Sequence, residues 1–127
     1  MQRILVVEDD ARQRSAIARV LARRFWTSTA NDGRDALVWI RALHRFDLIL
    51  ADLAMPRLDG VQLYLQLIEI APVQANRVVF MCEAERPLSP RDLIDTIDKP
   101  LLVKPFEPSR LLATVEKLLA RWSANRP

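Results

Sequence analysis

The stretch from Asp47 to Gly60, DLILADLAMPRLDG, sets the pattern for the whole chain. Leu48-Ile49-Leu50-Ala51 is a short apolar run without alternation, the mark of a strand covered on both faces. Asp52 ends the run, Pro56 and Asp59-Gly60 are turn residues, and Val61 to Ile70 then follows helical spacing up to Pro72. The same unit recurs on either side. Ile4-Leu5-Val6-Val7 ends in Glu8-Asp9-Asp10, Val78-Val79-Phe80-Met81 ends at Cys82, and Leu101-Leu102-Val103 ends in Lys104-Pro105. Trp26-Thr27-Ser28-Thr29-Ala30 is more polar, as suits a strand nearer an edge. Helical patterns lie between these runs. They cover Ala11 to Phe25 with Asp10 as N-cap, Asp35 to Leu43 after Asn31-Asp32-Gly33, and Arg91 to Ile97 after Pro87 and Pro90. A final amphipathic helix carries Leu111, Leu112, Val115, Leu118, Leu119 and Trp122 and is opened by Pro108 or Ser109.

Five strand–helix units in a row predict one α/β domain. The expected form is a doubly wound (βα)5 three-layer sandwich of flavodoxin-like type around a five-stranded parallel sheet. Residues 1–122 form this domain and residues 123–127 a tail or the start of a linker. At 127 residues, half of them apolar and 28% charged, the composition is that of a globular protein. The single cysteine rules out an intrachain disulfide, and the single histidine, His44, rules out a multi-histidine metal centre. His44 falls near the end of the second helix, where it suits the helix dipole better than catalysis. No apolar run is long enough to span a membrane and the start is no signal peptide, so a cytoplasmic location is expected.

The net charge of +3 is modest, and sixteen of the nineteen basic residues are arginines. Arg12, Arg14, Arg19, Arg23 and Arg24 cannot all share one helix face. They read as a solvated surface or as a face toward an acidic partner, and direct nucleic-acid binding is not expected. Trp26, Trp39 and Trp122 are expected in or beside the core.

In an open parallel sheet, ligands bind beyond the carboxyl ends of the strands. That edge would gather three or four carboxylates from Glu8, Asp9, Asp10 and Asp52, the thiol of Cys82 and the ammonium of Lys104. An acidic run after a strand is also an ordinary helix start, matched to the dipole, and Lys-Pro alone says little. Crowded carboxylates, however, call for a cation, and oxygen donors without histidine or thiolate suit Mg²⁺. A lysine beside them can hold a phosphoryl group, and the set suits phosphoryl transfer onto aspartate.

These segments resemble the receiver domains of two-component response regulators, the CheY-like family, over essentially the whole chain. Ile4 to Asp9, ILVVED, is similar to the family's first strand with its acidic pair. Asp47 to Gly60 resembles its phosphorylation-site segment, with Met55-Pro56 and Asp59-Gly60 in place, and LLVKPF from Leu101 to Phe106 resembles its last strand. The spacings of 43 residues from Asp9 to Asp52 and 52 from Asp52 to Lys104 fit the family. The resemblance implies that Asp52 accepts a phosphoryl group from a sensor histidine kinase or a histidine phosphotransfer protein. It implies Mg²⁺ held by Asp9, Asp52, the backbone carbonyl of Ala54 and, largely through water, Glu8, with Lys104 pairing first with Asp52 and then with the phosphoryl oxygens. Asp10 belongs to the first helix rather than the metal set, and Lys99-Pro100 fits the lysine role less well because no apolar strand precedes it. A domain of this kind promotes its own aspartyl phosphorylation and slow dephosphorylation and is not a conventional enzyme. Pairing with a second copy is a common property of such relatives.

Three positions depart from the family. Cys82 stands at the switch position, where Ser or Thr is usual, and a thiol is a weaker donor. Glu83 stands where a small residue is usual, and a carboxylate there would repel an incoming donor. Leu101 replaces the usual Tyr or Phe, so an atypical switch is expected. Pro100, shortly before the lysine strand, resembles receivers attached to hybrid sensor kinases. Cys82 also admits a redox reading, weakened by the nearby carboxylates. Two other classes remain beside the receiver: a phosphorylation-independent interaction module on the same fold, and a phosphatase-like enzyme, which lacks a second acid because Ala54 stands two residues past Asp52.

Overall fold

Continuous apolar runs need cover on both faces, and those of Ile4 to Val7, Leu48 to Ala51 and Val78 to Met81 receive it. The structure, a computed structural model, describes residues 1–42, 45–84 and 98–124. His44 and the helix expected over Arg91 to Ile97 lie outside the described residues. Strands β1 (Arg3–Val7), β2 (Trp26–Ala30), β3 (Leu48–Asp52), β4 (Val78–Glu83) and β5 (Leu101–Lys104) form one sheet in the order β2-β1-β3-β4-β5, parallel throughout. This is the flavodoxin-like order, whose reversal between β1 and β3 opens a crevice at the carboxyl edge.

Alternate residues of the strands feed two core layers. Leu5, Val7, Ile49, Ala51, Phe80 and Cys82 pack on helices α2 (Gly33–Arg41) and α3 (Gly60–Ile70) through residues such as Leu37, Ile40 and Leu67. Ile4, Val6, Leu48, Leu50, Val79 and Met81 pack on helix α1 (Ala11–Leu21) and the last helix. That last helix, α5, spans Pro108–Ala124 and contributes Leu111, Val115 and Leu119. The three-layer sandwich is therefore as the sequence predicts.

Several boundaries differ. α1 stops at Leu21, four residues before Phe25, because Arg23 and Arg24 donate to carbonyls only three residues back and release the chain into β2. A single-turn helix, α4 (Pro72–Ala75), stands where a stop was expected. Its Gln74 side chain is buried and exchanges two hydrogen bonds of 2.9 Å with the backbone of Phe46, holding the approach to β3. β4 runs two residues past Met81, so Cys82 and Glu83 lie within the strand. α5 runs to Ala124, two residues into the expected tail. Trp39 and Trp122 pack against the core, but Trp26 is 55% exposed, with the Arg3 guanidinium 5.2 Å above its ring. An edge strand offers cover on one side only, and stacking on Arg3 replaces burial there.

Candidate functional site

Three strands end within reach of one ammonium. Lys104, the last residue of β5, is buried, and its Nζ donates to Asp52 Oδ2 at 2.7 Å and to Glu8 Oε1. Asp52 and Glu8 are 5% and 1% exposed, so this is a buried ion cluster rather than a surface pairing. The adjacency follows from the sheet order, because β1 and β3 are neighbours and both deliver an acid at the carboxyl edge. Burial disfavours the ammonium, but the hydrogen bonds it donates to Asp52 and Glu8 outweigh it, and the pKa of Lys104 is raised. Glu8 shows the opposite balance. Burial, aided by the neighbouring Asp52, overcomes the bond from Lys104 and pushes its carboxyl up to about 7.

Backbone groups fix the acids. Asp52 Oδ1 accepts from the Ala54 N–H at 3.0 Å, and Glu8 Oε2 accepts from the Asp10 N–H at 3.1 Å. Asp9 is exposed, yet a carboxylate oxygen of Glu8, of Asp9 and of Asp52 can be chosen so that all three lie within 4.8 Å of one another. These residues could hold a metal ion, and their oxygen-only character selects a hard one. Asp10, left out of the metal set, caps α1 by accepting from the Gln13 N–H at 3.0 Å.

Cys82 is fully buried in the layer beneath α2 and α3, two residues beyond Phe80 on the same face. Leu101 is half-buried and pairs in register with Phe80. Lys99 stands with its amine 5.4 Å above the ring of Tyr64, which meets Phe80 edge to face.

Three contacts were not foreseen in the sequence. Glu83 Oε1 lies 3.7 Å from Lys104 Nζ, a third carboxylate on the same ammonium. Arg14 turns back from α1 and donates to the Glu8 carbonyl at 2.9 Å, with the Asp9 carbonyl at 3.4 Å, so one arginine of the basic cluster braces the acidic turn. Arg57 reaches the buried Asp32, its Nε 2.6 Å from Oδ2. Burial raises the Asp32 carboxyl, but the Asp35 N–H and the Arg57 guanidinium outweigh it and leave the pKa lowered. The place of Glu83 at a strand end was the one available signal; the two arginine contacts depend on loop paths that spacing does not reveal.

A family model described as response regulator receiver domain matches residues 4–116. The chemotaxis protein CheY of Bacillus subtilis is 33% identical over 122 residues, covering 92% of this chain and 97% of its own length. The transcriptional regulatory protein PdtaR of Mycobacterium tuberculosis is 33% identical over 125 residues, covering 95% of this chain and 58% of the relative. The chain thus spans little more than half of that protein. Among solved structures, the receiver domain of Francisella response regulator 1452 matches with a TM-score of 0.78 at 26% identity, covering 96% of this chain and 99% of the other. A CheY-like receiver domain protein from Methanospirillum hungatei matches in fold with a TM-score of 0.87 at 20% identity, covering 99% of both chains.

Proposed function

The chain belongs to the response regulator receiver domain family of two-component signalling, and from that premise we propose that it accepts a phosphoryl group on Asp52 from a sensor histidine kinase or a histidine phosphotransfer protein, with Mg²⁺ as cofactor. The observation that carries this reading is the buried triad in which Lys104 bridges Asp52 and Glu8 beside the exposed Asp9. A purely structural cluster would not need an ammonium, two buried acids and a solvent-facing carboxylate together at the carboxyl edge of the sheet.

The donor set fits the ion. It offers oxygen atoms only, and carboxylate oxygens of Glu8, Asp9 and Asp52 that lie within 4.8 Å of one another concentrate negative charge that a cation would offset. Asp9 and Asp52, with the Ala54 carbonyl, would hold Mg²⁺, and Glu8 would contact it largely through water. The ion would supply charge to offset the phosphoryl oxygens. Asp52 is the nucleophile. The Ala54 N–H on Oδ1 and the Lys104 ammonium on Oδ2 fix the plane of its carboxylate. As the new P–O bond forms, the P–N bond to the donor's histidine breaks and its electron pair leaves with the imidazole, while Lys104 turns from Oδ2 toward the phosphoryl oxygens. Glu8 keeps that ammonium in place throughout.

The expected experiment uses a small-molecule phosphodonor with Mg²⁺ and weighs the intact protein. Wild type should gain one phosphoryl group and Asp52→Asn none. An equal gain in the variant would refute the assignment of Asp52.

A second reading, a phosphorylation-independent interaction module on this fold, is favoured by the Glu83–Lys104 pair and by Cys82 at the switch position. It predicts neither Mg²⁺ binding nor phosphoryl uptake, so the same experiment separates the two. Under the first reading the switch is atypical, and Cys82→Thr should change phosphorylation-dependent partner binding.

A further inference from the structure

Lys104 has three N–H donors, and three carboxylates surround it. Two of them are fixed: Glu8 and Asp52 are buried and held by backbone N–H groups. The third, Glu83, is different. Its side chain is 58% exposed, and its Oε1 stands 3.7 Å from Nζ. The contact is built into the sheet, because Glu83 and Lys104 are register partners at the ends of β4 and β5 and therefore project side by side. Glu83 and Lys104 also line the same cleft of about 370 Å³ with Gln13, Ile17 and Phe106, so both face solvent-accessible space.

We propose that Glu83 is a positioning residue that holds Lys104 in its unphosphorylated arrangement and thereby sets how readily Asp52 is charged and how long it stays charged. The proposal rests on the receiver reading above. An incoming phosphoryl group takes the donor that Lys104 turns away from Asp52 Oδ2, and Glu83, already in contact with water, competes with it for the same ammonium and can withdraw without stranding a buried charge. During transfer from acetyl phosphate, an Asp52 carboxylate oxygen forms a bond to phosphorus while the bond from phosphorus to the acetyl oxygen breaks. That electron pair leaves with acetate. The phosphoryl group then sits on the ammonium that Glu83 had shared, and the two negative charges repel. Glu83 thus opposes both the uptake and the retention of phosphate, and the effect scales with the charge of the donor.

The test compares wild type with Glu83→Gln, nearly isosteric and more than half exposed, after a thermal melt has shown that the variant folds. Phosphorylation is followed by intact mass with two donors at neutral pH, dianionic acetyl phosphate and monoanionic phosphoramidate, and decay is followed after the donor is removed. The expected result is uptake from acetyl phosphate faster by roughly two- to fivefold, the range of an exposed ion pair. The gain should be smaller with phosphoramidate, and the phosphorylated state of the variant should last longer. A merely structural role would change both donors alike. Equal rates in the two proteins, or equal gains with the two donors, overturn the role of Glu83 and leave the receiver reading standing. Failure of wild type and variant to gain any phosphoryl group overturns both.

Discussion

A carboxyl group that is 1% exposed and raised to about 7 would give up its proton if a cation settled beside it. The sign follows from the direction of the shift. The metal-free fold holds a proton on Glu8 below about pH 7, and a ligand must be deprotonated to serve a cation. Mg²⁺ binding should therefore weaken as pH falls through 7, by about tenfold at pH 6 relative to pH 8, with proton release on binding at the lower pH. Calorimetric titration in buffers of different ionisation enthalpy measures both quantities, and a pH-independent affinity would contradict the role given to Glu8. At this scale much was legible from sequence. Glu8, Asp9, Asp52 and Lys104 each end or follow an apolar run, and strand ends are where a parallel sheet meets its ligands. Arg14 was not legible as part of the site, because nothing in its spacing says that its guanidinium folds back onto two carbonyls of the preceding turn.

At the scale of elements, the loop between β3 and α3 shows how the site is held. The chain's two glycines both looked like turn residues, yet neither has a positive φ. They are sites of close backbone approach. A Cβ on Gly60 would lie 2.5 Å from the Asp52 carbonyl oxygen, and one on Gly33 would lie 2.6 Å from that of Leu58. In this loop the positive-φ residue is instead Arg57, at φ 65°, where the Pro56 carbonyl accepts from the Leu58 N–H at 2.7 Å. Such a conformation costs about 1–3 kcal/mol and is held by surrounding contacts. Here the holding contact is the pair with Asp32, the N-cap of α2, whose Oδ1 also accepts from the Asp35 N–H. Arg57→Ala should lower stability by about 1–2 kcal/mol, because it leaves a buried carboxylate without its cation. The lowered pKa of Asp32 fixes the pH window. The contribution is fully present above the ordinary 3.8 and is lost as pH falls through the folded value, so the gap between wild type and variant should close in acid. Urea melts at pH 7 and pH 3 check this, and a gap of equal size at both would refute it. Sequence periodicity found the elements but missed this latch, since it joins two loops 25 residues apart.

The whole molecule divides its restraint unevenly. β1 and β3 are bonded on both sides, whereas β5 has four residues and, among the described residues, β4 as its one sheet neighbour. Leu101 and Leu102 are half-buried and Val103 is 43% exposed, while the corresponding runs of β1 and β3 are fully buried. The sandwich itself was readable because continuous apolar runs can only be strands covered on both faces. The unequal depth of the strands was only hinted at by the shorter last run. Backbone amides of β5 should exchange with solvent roughly tenfold or more faster than those of β1 and β3, as expected for the least supported unit of a sheet. Uniform protection across the sheet would contradict this. The edge position of β5 gives the site a stiff half and a compliant half. Both acids that grip the ammonium stand on anchored ground, while the ammonium itself rides on an edge strand whose apolar residues are only partly buried. A pull on Lys104 would therefore be spent on moving the margin of the sheet before its centre.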